Sequence, residues 1–283
     1  MTLDWPEFDL TRLSGAGGTD GRGAVALSQN FHVASFHVAS ARSGPRSLQF
    51  AEFDVSRALV EPASFSSLLD KGIELRAGIM VPVLENDCLE VLACMLDVKQ
   101  DIIRGMGAFL NGAERSRAEG LKSERDRRRF IACRGQLRQI LASRLGISPS
   151  DVELEYGRLG KPRLSHRMPS RDLRFSVSRS GDVAVIALST GREVGVDIEA
   201  VLPVPEADEI AALCFSASDY ESYAALGPDD RLEGFFRRWT RLEAISKGLG
   251  CGLGHPSSSD DKDWVVRSFV PKTGYLGCVV VRK

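Results

Sequence analysis

The sequence has little that would place the protein in a membrane or in an oxidising compartment. Its six cysteines include no CxxC pair and no spacing typical of a zinc site, which indicates free thiols in a reducing environment. No apolar run approaches the roughly 20 residues that a membrane-spanning helix needs. The first residues, MTLDWPE, carry acids where a signal peptide carries bases. We therefore expect a cytoplasmic protein without a membrane anchor.

The net charge argues against a nucleic-acid partner. A formal charge of -1 at pH 7 lacks the basic footprint of a general nucleic-acid binder, so we expect no nucleic-acid partner. The charge is nevertheless uneven, because arginine and lysine cluster between Arg115 and Arg144. This cluster is either a solvated helix face or a local phosphate-binding surface.

Residues 1–85 differ in pattern from the rest. Five glycines between positions 15 and 23 form a flexible run, and residues 31–40 repeat FHVAS in tandem. We do not expect His32 and His37, which lie inside the repeat, to bind metal. Residues 73–84 have the composition of one or two strands. We interpret residues 1–85 as an N-terminal extension of unknown role.

From residue 88 onward, apolar periodicity predicts an ordered domain of helices and strands. Gly146 is the expected end of the first helix. Each half gives a helix followed by strands, which indicates an α+β fold of two lobes, at residues 86–190 and 191–283. The predicted strands are 88–96, 152–156, 175–178, 183–189, 193–198, 264–270 and 275–281, and the predicted helices are 113–145 and 210–249, the second broken near residues 227–228.

Two short segments place acidic residues at regular spacing. Asp197 and Glu199 are two residues apart on a predicted strand and so share one face. Such a pair suits a Mg²⁺ ion, or it is simply a solvated strand edge. Glu243 and Lys247 are one turn apart on a predicted helix, where they belong to a site or form a surface salt bridge. Trp239, on the same stripe, is expected in the core.

The order of these segments is more specific than any one of them. An arginine-bearing segment, FIACRGQLRQIL with Arg134, precedes the turn Gly160-Lys161-Pro162, and FSVSRS, GVDIE and WTRLEAISK follow at residues 175–180, 195–199 and 239–247. This succession resembles the Sfp-type 4′-phosphopantetheinyl transferases, whose motifs are an arginine-bearing helix, a GKP turn, an FNxSHS strand, a GxDxE strand and a WxxKEAxxK helix. The resemblance covers roughly residues 88–283.

The resemblance implies a function and a set of partners. It implies two similar pseudo-symmetric lobes in one chain, acting as a monomer, with the N-terminal region as an appendage. The implied reaction transfers the 4′-phosphopantetheine arm of coenzyme A to a serine of an apo acyl or peptidyl carrier protein. The resemblance also implies that Mg²⁺, with Mn²⁺ as an alternative, bridges the pyrophosphate of coenzyme A.

Individual roles follow from the same resemblance. Asp197, Glu199 and Glu243 would hold the metal, Glu243 would also be the general base, and Lys247 would grip the phosphate under attack. The remaining coenzyme A contacts would be Lys122 and Arg134 at the nucleotide end and its 3′-phosphate, Lys161 and Pro162 along the adenine, and Ser178 with Arg179 near the pyrophosphate.

Three positions depart from the family pattern. Arg179 replaces a histidine, Leu242 replaces a lysine and Ser176 replaces an asparagine. A guanidinium still binds phosphate, whereas Leu242 removes a positive charge. These departures support an alternative interpretation, a non-catalytic relative that binds coenzyme A or a carrier protein as an adaptor. Another metal-dependent phosphotransfer or hydrolytic enzyme would leave the GKP and FSVSRSG segments unexplained.

Overall fold

A computed structural model describes residues 75–78, 80–86, 88–170, 172–251 and 260–283. The glycine-rich run, the FHVAS repeat with its two histidines and the start of the strand region predicted at 73–84 lie outside the described residues. The described residues form helices and three sheets, which confirms the predicted α+β class. None of the helices among them has the length and hydropathy needed to cross a bilayer.

The first sheet is antiparallel and is built from residues before position 191. Its strands are β1 (Val81–Asn86), β2 (Leu89–Met95), β5 (Leu173–Ser180) and β6 (Val183–Thr190), in the order β1-β2-β6-β5. Strand β6 is buried along almost its whole length, which explains its continuous apolar sequence. Strands β3 (Leu154–Tyr156) and β4 (Pro162–Leu164) form a separate hairpin around the GKP turn.

Three helices accompany this sheet: α1 (Gln100–Phe109), α2 (Gly112–Glu119) and α3 (Glu124–Leu145). Leu137 and Leu141 of α3 are fully buried in one cluster with Phe175 of β5 and Ile186 of β6. The helix ends at Gly146, whose φ of 68° is in the left-handed region that glycine adopts without strain. The predicted helix end is therefore confirmed.

The single helix predicted over residues 113–145 is wrong, because the chain forms two helices there. The side chain of Ser123 accepts a hydrogen bond from the N–H of Asp126 and begins α3 anew. A buried ion pair between Glu114 of α2 and Arg138 of α3, with an Nε–Oε2 distance of 2.8 Å, folds the two helices against each other. This tertiary contact has no signature in helical periodicity.

The second sheet consists of β7 (Val194–Ala200), β8 (Trp264–Phe269) and β9 (Tyr275–Arg282), in the order β7-β9-β8. Its helices are α4 (Ala207–Cys214), α5 (Ala217–Ala224) and α6 (Pro228–Leu249). The predicted break before Pro228 is confirmed, and a further break separates α4 from α5. Trp239 of α6 is buried in an aromatic cluster, stacked on Phe235 with ring centroids 6.0 Å apart.

The two sheets share one apolar core. Val91 of β2 and Val185 of β6 are buried in the same cluster as Val196 and Ile198 of β7. Because side chains alternate along a strand, this packing turns Gly195, Asp197 and Glu199 to the opposite face of β7. That face meets α6.

Gly195 lets the backbone of α6 lie directly on β7. A Cβ atom at this position would be 1.9 Å from the carbonyl oxygen of Ala244 and 2.5 Å from the amide nitrogen of Gly248. Helix and strand would both have to move to admit a side chain. The glycine of the GVDIE segment therefore sets the distance between the carboxylates of β7 and the side chains of α6.

Gly195→Ala should destabilise the protein by about 3 kcal/mol or more, because overpacking already costs about 1–3 kcal/mol where side chains can yield and here the obstacle is backbone. Urea unfolding measures the change. Gly105→Ala is the matched control, since a Cβ there on α1 would meet nothing within 4 Å, and it should be neutral or stabilising by up to about 1 kcal/mol. Equal unfolding midpoints for the two variants would contradict the proposed close approach.

Candidate active site

The carboxylates of Asp197 and Glu199 lie side by side in the junction between β7 and β5. Asp197 is 1% exposed and Glu199 is 9% exposed. Each accepts a hydrogen bond from a serine of β5: Ser178 Oγ lies 2.9 Å from Asp197 Oδ1, and Ser180 Oγ lies 2.8 Å from Glu199 Oε2. The predicted sharing of one strand face by the two acids is what the structure shows.

Helix α6 contributes the other two charged groups. The ammonium of Lys247 is 2.5 Å from Asp197 Oδ1 and 2.9 Å from Ser178 Oγ. It is 3.9 Å from Glu243 Oε2, one turn earlier on the helix. The lysine therefore bonds mainly to the strand carboxylate, and the salt bridge to Glu243 considered from the sequence is the longer of its two ion pairs.

The site holds three carboxyl groups, those of Asp197, Glu199 and Glu243, but only the one ammonium group of Lys247. Burial raises the pKa of Glu199 well above its usual range, and the charges of Asp197 and Glu243 raise it further. Burial also raises the pKa of Glu243 to about 7, although Lys247 opposes this. Burial alone would lower the pKa of Lys247, but Asp197 and Glu243 outweigh it and raise that pKa. An additional cation would relieve this imbalance.

One carboxylate oxygen is left without a partner. Asp197 Oδ2 is buried and accepts no hydrogen bond within the described structure, which is costly unless a donor or a metal ion satisfies it. As the side chains stand, no three histidine, cysteine or acidic groups in the described part of the chain are arranged to hold a metal ion. The ammonium of Lys247 sits against the other oxygen, Oδ1, so Oδ2 is the oxygen of Asp197 that is open to a further partner.

The GKP turn is tied to the second lobe through its lysine. Lys161 Nζ donates to the carbonyl oxygen of Gly248 at 2.8 Å and lies 3.0 Å from Glu193 Oε2, just before β7. Burial lowers the pKa of Lys161, with Glu193 opposing the effect. Pro162 is half-buried and begins β4. Lys161, for which the family resemblance implies a place along the adenine, therefore holds the C-terminal end of α6 in this structure.

Of the remaining predicted contacts, Arg179 lies on the other face of β5, towards Arg134 of α3. Burial lowers the pKa of Arg179, and the positive charge of Arg134 on α3 adds to this effect. Arg134 Nη1 is buried without a hydrogen-bond partner among the described residues. Lys122 is exposed in the turn before α3. The structure therefore brings Arg134 and Arg179 together, but places Ser178 on the opposite face of β5 from Arg179.

Two further serines of β5, Ser176 and Ser180, for which the motifs implied no role, also bond to β7. Ser176 Oγ accepts a hydrogen bond from the N–H of Val196 at 3.1 Å, and Ser180 Oγ accepts one from the N–H of Ala200 at 3.1 Å. With Ser178, these alternate serines join the edges of the two sheets. The period-two serine pattern in FSVSRS was the available signal.

Carboxylates and a lysine in the junction of two sheets, with arginines on the far face of β5, suit an enzyme that acts on phosphoanhydrides, where the protein supplies positioning and charge stabilisation. The family model described as the 4′-phosphopantetheinyl transferase superfamily matches residues 193–275. The model described as 4′-phosphopantetheinyl transferase, N-terminal, matches residues 99–191.

Individual proteins agree with these matches. The chain is 34% identical to the 4′-phosphopantetheinyl transferase HetI of Nostoc sp. over 170 residues, which is 60% of this chain and 72% of that protein. It is 42% identical to the 4′-phosphopantetheinyl transferase AcpT of Escherichia coli over 98 residues, 35% of this chain and 49% of that protein. The chain belongs to the 4′-phosphopantetheinyl transferase superfamily, as the sequence motifs predicted.

In the metal-free protein, stability should fall as the pH rises from about 4.5 to about 7. Glu243 keeps its proton up to about pH 7 when folded but has an ordinary pKa when unfolded, so in this window the folded state binds the additional proton and rising pH favours unfolding. Glu243→Gln cannot ionise and should make the decline shallower, and the slope that remains belongs to Glu199, whose pKa is also raised. Above pH 7 it should exceed the native protein in stability by on the order of 2 kcal/mol.

Urea unfolding in EDTA across this pH range measures the effect. Glu221→Gln is the matched control, because it makes the same chemical change at an exposed position of α5 and should retain the slope. If Glu243→Gln retained the full slope as well, the decline would belong to another group.

Proposed function

We propose that the protein transfers the 4′-phosphopantetheine group of coenzyme A to a serine of an apo acyl or peptidyl carrier protein and releases adenosine 3′,5′-bisphosphate. The single observation that carries the proposal is a group of three carboxylates with one lysine, in which Asp197 and Glu199 are buried, Glu243 is half-buried and Asp197 Oδ2 has no hydrogen-bond partner among the described residues. Membership of the superfamily supports the reaction. The coenzyme A substrate and the carrier partner are proposed on the same grounds.

Asp197, Glu199 and Glu243 would hold a divalent cation, Mg²⁺ or Mn²⁺. The donor set fits, because hard cations bind carboxylate oxygens and Mg²⁺ needs only one or two of them besides water and phosphate. The raised pKa values of Glu199 and Glu243 also fit, since a cation would favour their ionised forms. When bound, the ion would neutralise charge on the pyrophosphate and polarise the phosphorus–oxygen bond that breaks.

Glu243 and Lys247 would carry out the proton and charge movements. The carboxylate of Glu243 accepts the proton of the carrier serine, directly or through one water, and a bound cation would keep this carboxylate ionised and ready for that proton. The serine oxygen forms a bond to the phosphorus that bears the pantetheine arm. The phosphoanhydride bond breaks with its electron pair on the departing bisphosphate. Lys247 shifts from Asp197 to the phosphate and stabilises the developing charge.

The nucleotide end of coenzyme A would lie towards the GKP turn and α3. Arg134 and Arg179 provide two neighbouring positive charges, and the unpartnered Nη1 of Arg134 offers a donor for the 3′-phosphate. We assign Lys122 to the same end, Lys161 and Pro162 to the adenine, and Ser178 with Arg179 to the pyrophosphate. The separation of Ser178 from Arg179 across β5 means that they would contact it from different sides.

The organisation of the molecule remains part of the proposal. We propose lobes at residues 86–190 and 191–283 that build one complete site within one chain, which would act as a monomer in the cytoplasm. Residues 1–85 are proposed to be an N-terminal extension of unknown role, and strand β1, at its end, pairs with β2 of the first sheet.

Incubation of the purified protein with coenzyme A, Mg²⁺ and a panel of apo carrier proteins tests the reaction. Intact mass spectrometry should show a gain of one phosphopantetheine on a carrier, abolished by EDTA. Asp197→Ala should lower the rate by about 10³-fold or more, because losing several kcal/mol of charge stabilisation costs a factor of ten for each 1.4 kcal/mol. Glu209→Ala, an exposed acid of α4, should behave like the native protein.

Binding of coenzyme A without a mass gain on any carrier would favour the adaptor interpretation. A normal rate for Asp197→Ala would remove the carboxylate group from the mechanism.

Arg134→Ala should weaken the use of coenzyme A roughly 10–100-fold, the equivalent of one or two hydrogen bonds to a charged group, and should act mainly on KM. It should have little effect with coenzyme A lacking the 3′-phosphate, because the lost partner is then absent in both proteins. Arg104→Ala, an exposed arginine on α1, is the control for general loss of positive charge. Equal losses with both substrates would place Arg134 away from the 3′-phosphate.

A further inference from the structure

We infer that Ser180 is a positioning residue that fixes the carboxylate of Glu199 for the divalent cation. The inference rests on the proposed function, because it concerns the geometry of the proposed metal ligands. It adds a residue that touches neither coenzyme A nor the reacting atoms.

The hydroxyl proton of Ser180 is directed towards the carboxylate of Glu199. Its Oγ accepts the backbone N–H of Ala200 at 3.1 Å and lies 2.8 Å from Glu199 Oε2. A backbone N–H can only donate, so the hydroxyl proton is available for the carboxylate. Ser180 is 2% exposed, which keeps water from competing. One carboxylate oxygen is therefore held in a fixed orientation before any ion arrives.

Ser178 has a different task, although it lies on the same face of β5. Its hydroxyl lies between Asp197 Oδ1 and the ammonium of Lys247, at 2.9 Å from each. When the lysine shifts, the surroundings of Ser178 change. Ser180 donates or accepts no hydrogen bond with a cationic side chain in the described part of the chain, so its bond to Glu199 can persist through the reaction.

The turn after Ser180 is braced from the other lobe. Tyr275 Oη lies 2.5 Å from Asp182 Oδ1, and Lys272 Nζ lies 3.0 Å from Asp182 Oδ2. Tyr275 is itself the β9 partner of Ala200. The contacts thus close a ring that runs from Ser180 through Ala200 and Tyr275 to Asp182 and back along the chain.

Gly181 completes this ring. Its φ of +51° suits glycine, and a Cβ there would be 2.6 Å from Tyr275 Oη. The tyrosine hydroxyl can therefore approach the turn closely. The ring explains how a serine at the end of a strand, next to a turn, is held accurately enough to orient a metal ligand.

Mn²⁺ binding to the full-length protein without coenzyme A, measured by electron paramagnetic resonance, tests the inference. Ser180→Ala should raise the Kd for Mn²⁺ about 10–100-fold, the usual consequence of removing a residue that orients a metal ligand. The matched control is Ser176→Ala, which also loses a hydrogen bond across the sheet junction but touches no carboxylate. It should retain native Mn²⁺ affinity at a similar cost in metal-free stability.

The outcomes separate this inference from the proposed function. Native Mn²⁺ affinity in folded Ser180→Ala would overturn the inference alone, and equal losses in both serine variants would reduce Ser180 to a structural role. An absence of Mn²⁺ binding in the native protein would instead overturn the proposed metal site. If Ser180→Ala does not fold, Tyr275→Phe decides: it should weaken Mn²⁺ binding in the same direction but less, and unchanged affinity would overturn the inference.

Discussion

The contact between the backbones of β7 and α6 is the constraint on which the rest of the site depends. Gly195 provides it on the strand, and Gly248 provides room at the end of the helix, where a Cβ would lie 2.7 Å from the ring of Trp264. Without side chains at these points, helix and strand approach until Lys247 reaches Asp197. Lys247 and Asp197 can therefore meet because Gly195 and Gly248 have no side chains that would hold α6 away from β7.

This approach creates an electrostatic problem that the metal-free protein only partly solves. Asp197 and Glu199 leave water, and desolvation of paired charges can exceed what their attraction returns. Lys247 compensates one carboxylate, the serines of β5 supply two hydroxyl donors, and raised pKa values let Glu199 and Glu243 keep protons. A divalent cation with phosphate ligands would take over from Lys247 and from these protons, while Ser180 could keep its hydrogen bond to Glu199. Such a site sacrifices stability for readiness to bind, as functional sites commonly do.

The sequence predicted those features of the site that depend on local periodicity. The shared face of Asp197 and Glu199 follows from the strand period, and the turn between Glu243 and Lys247 follows from the helix period. Contacts between lobes were not predictable in this way. The bonds of Lys161 to the end of α6, the serine bridge from β5 to β7 and the ion pair that folds α2 against α3 all depend on residues far apart in the sequence. Periodicity describes one element, whereas these features need the positions of two.

The departures from the family pattern can be judged from where their side chains lie. Leu242 packs against the apolar cluster that contains Trp239 and Leu276, so the missing lysine charge is accompanied by a gain in core packing. Arg179 faces α3 beside Arg134, on the other side of β5 from the carboxylates. Both departures therefore alter the surroundings of the site and leave the carboxylates and Lys247 in contact. A protein that served only as an adaptor would gain nothing from gathering three acids, two of them buried, at this energetic cost, which is why the retained group favours catalysis.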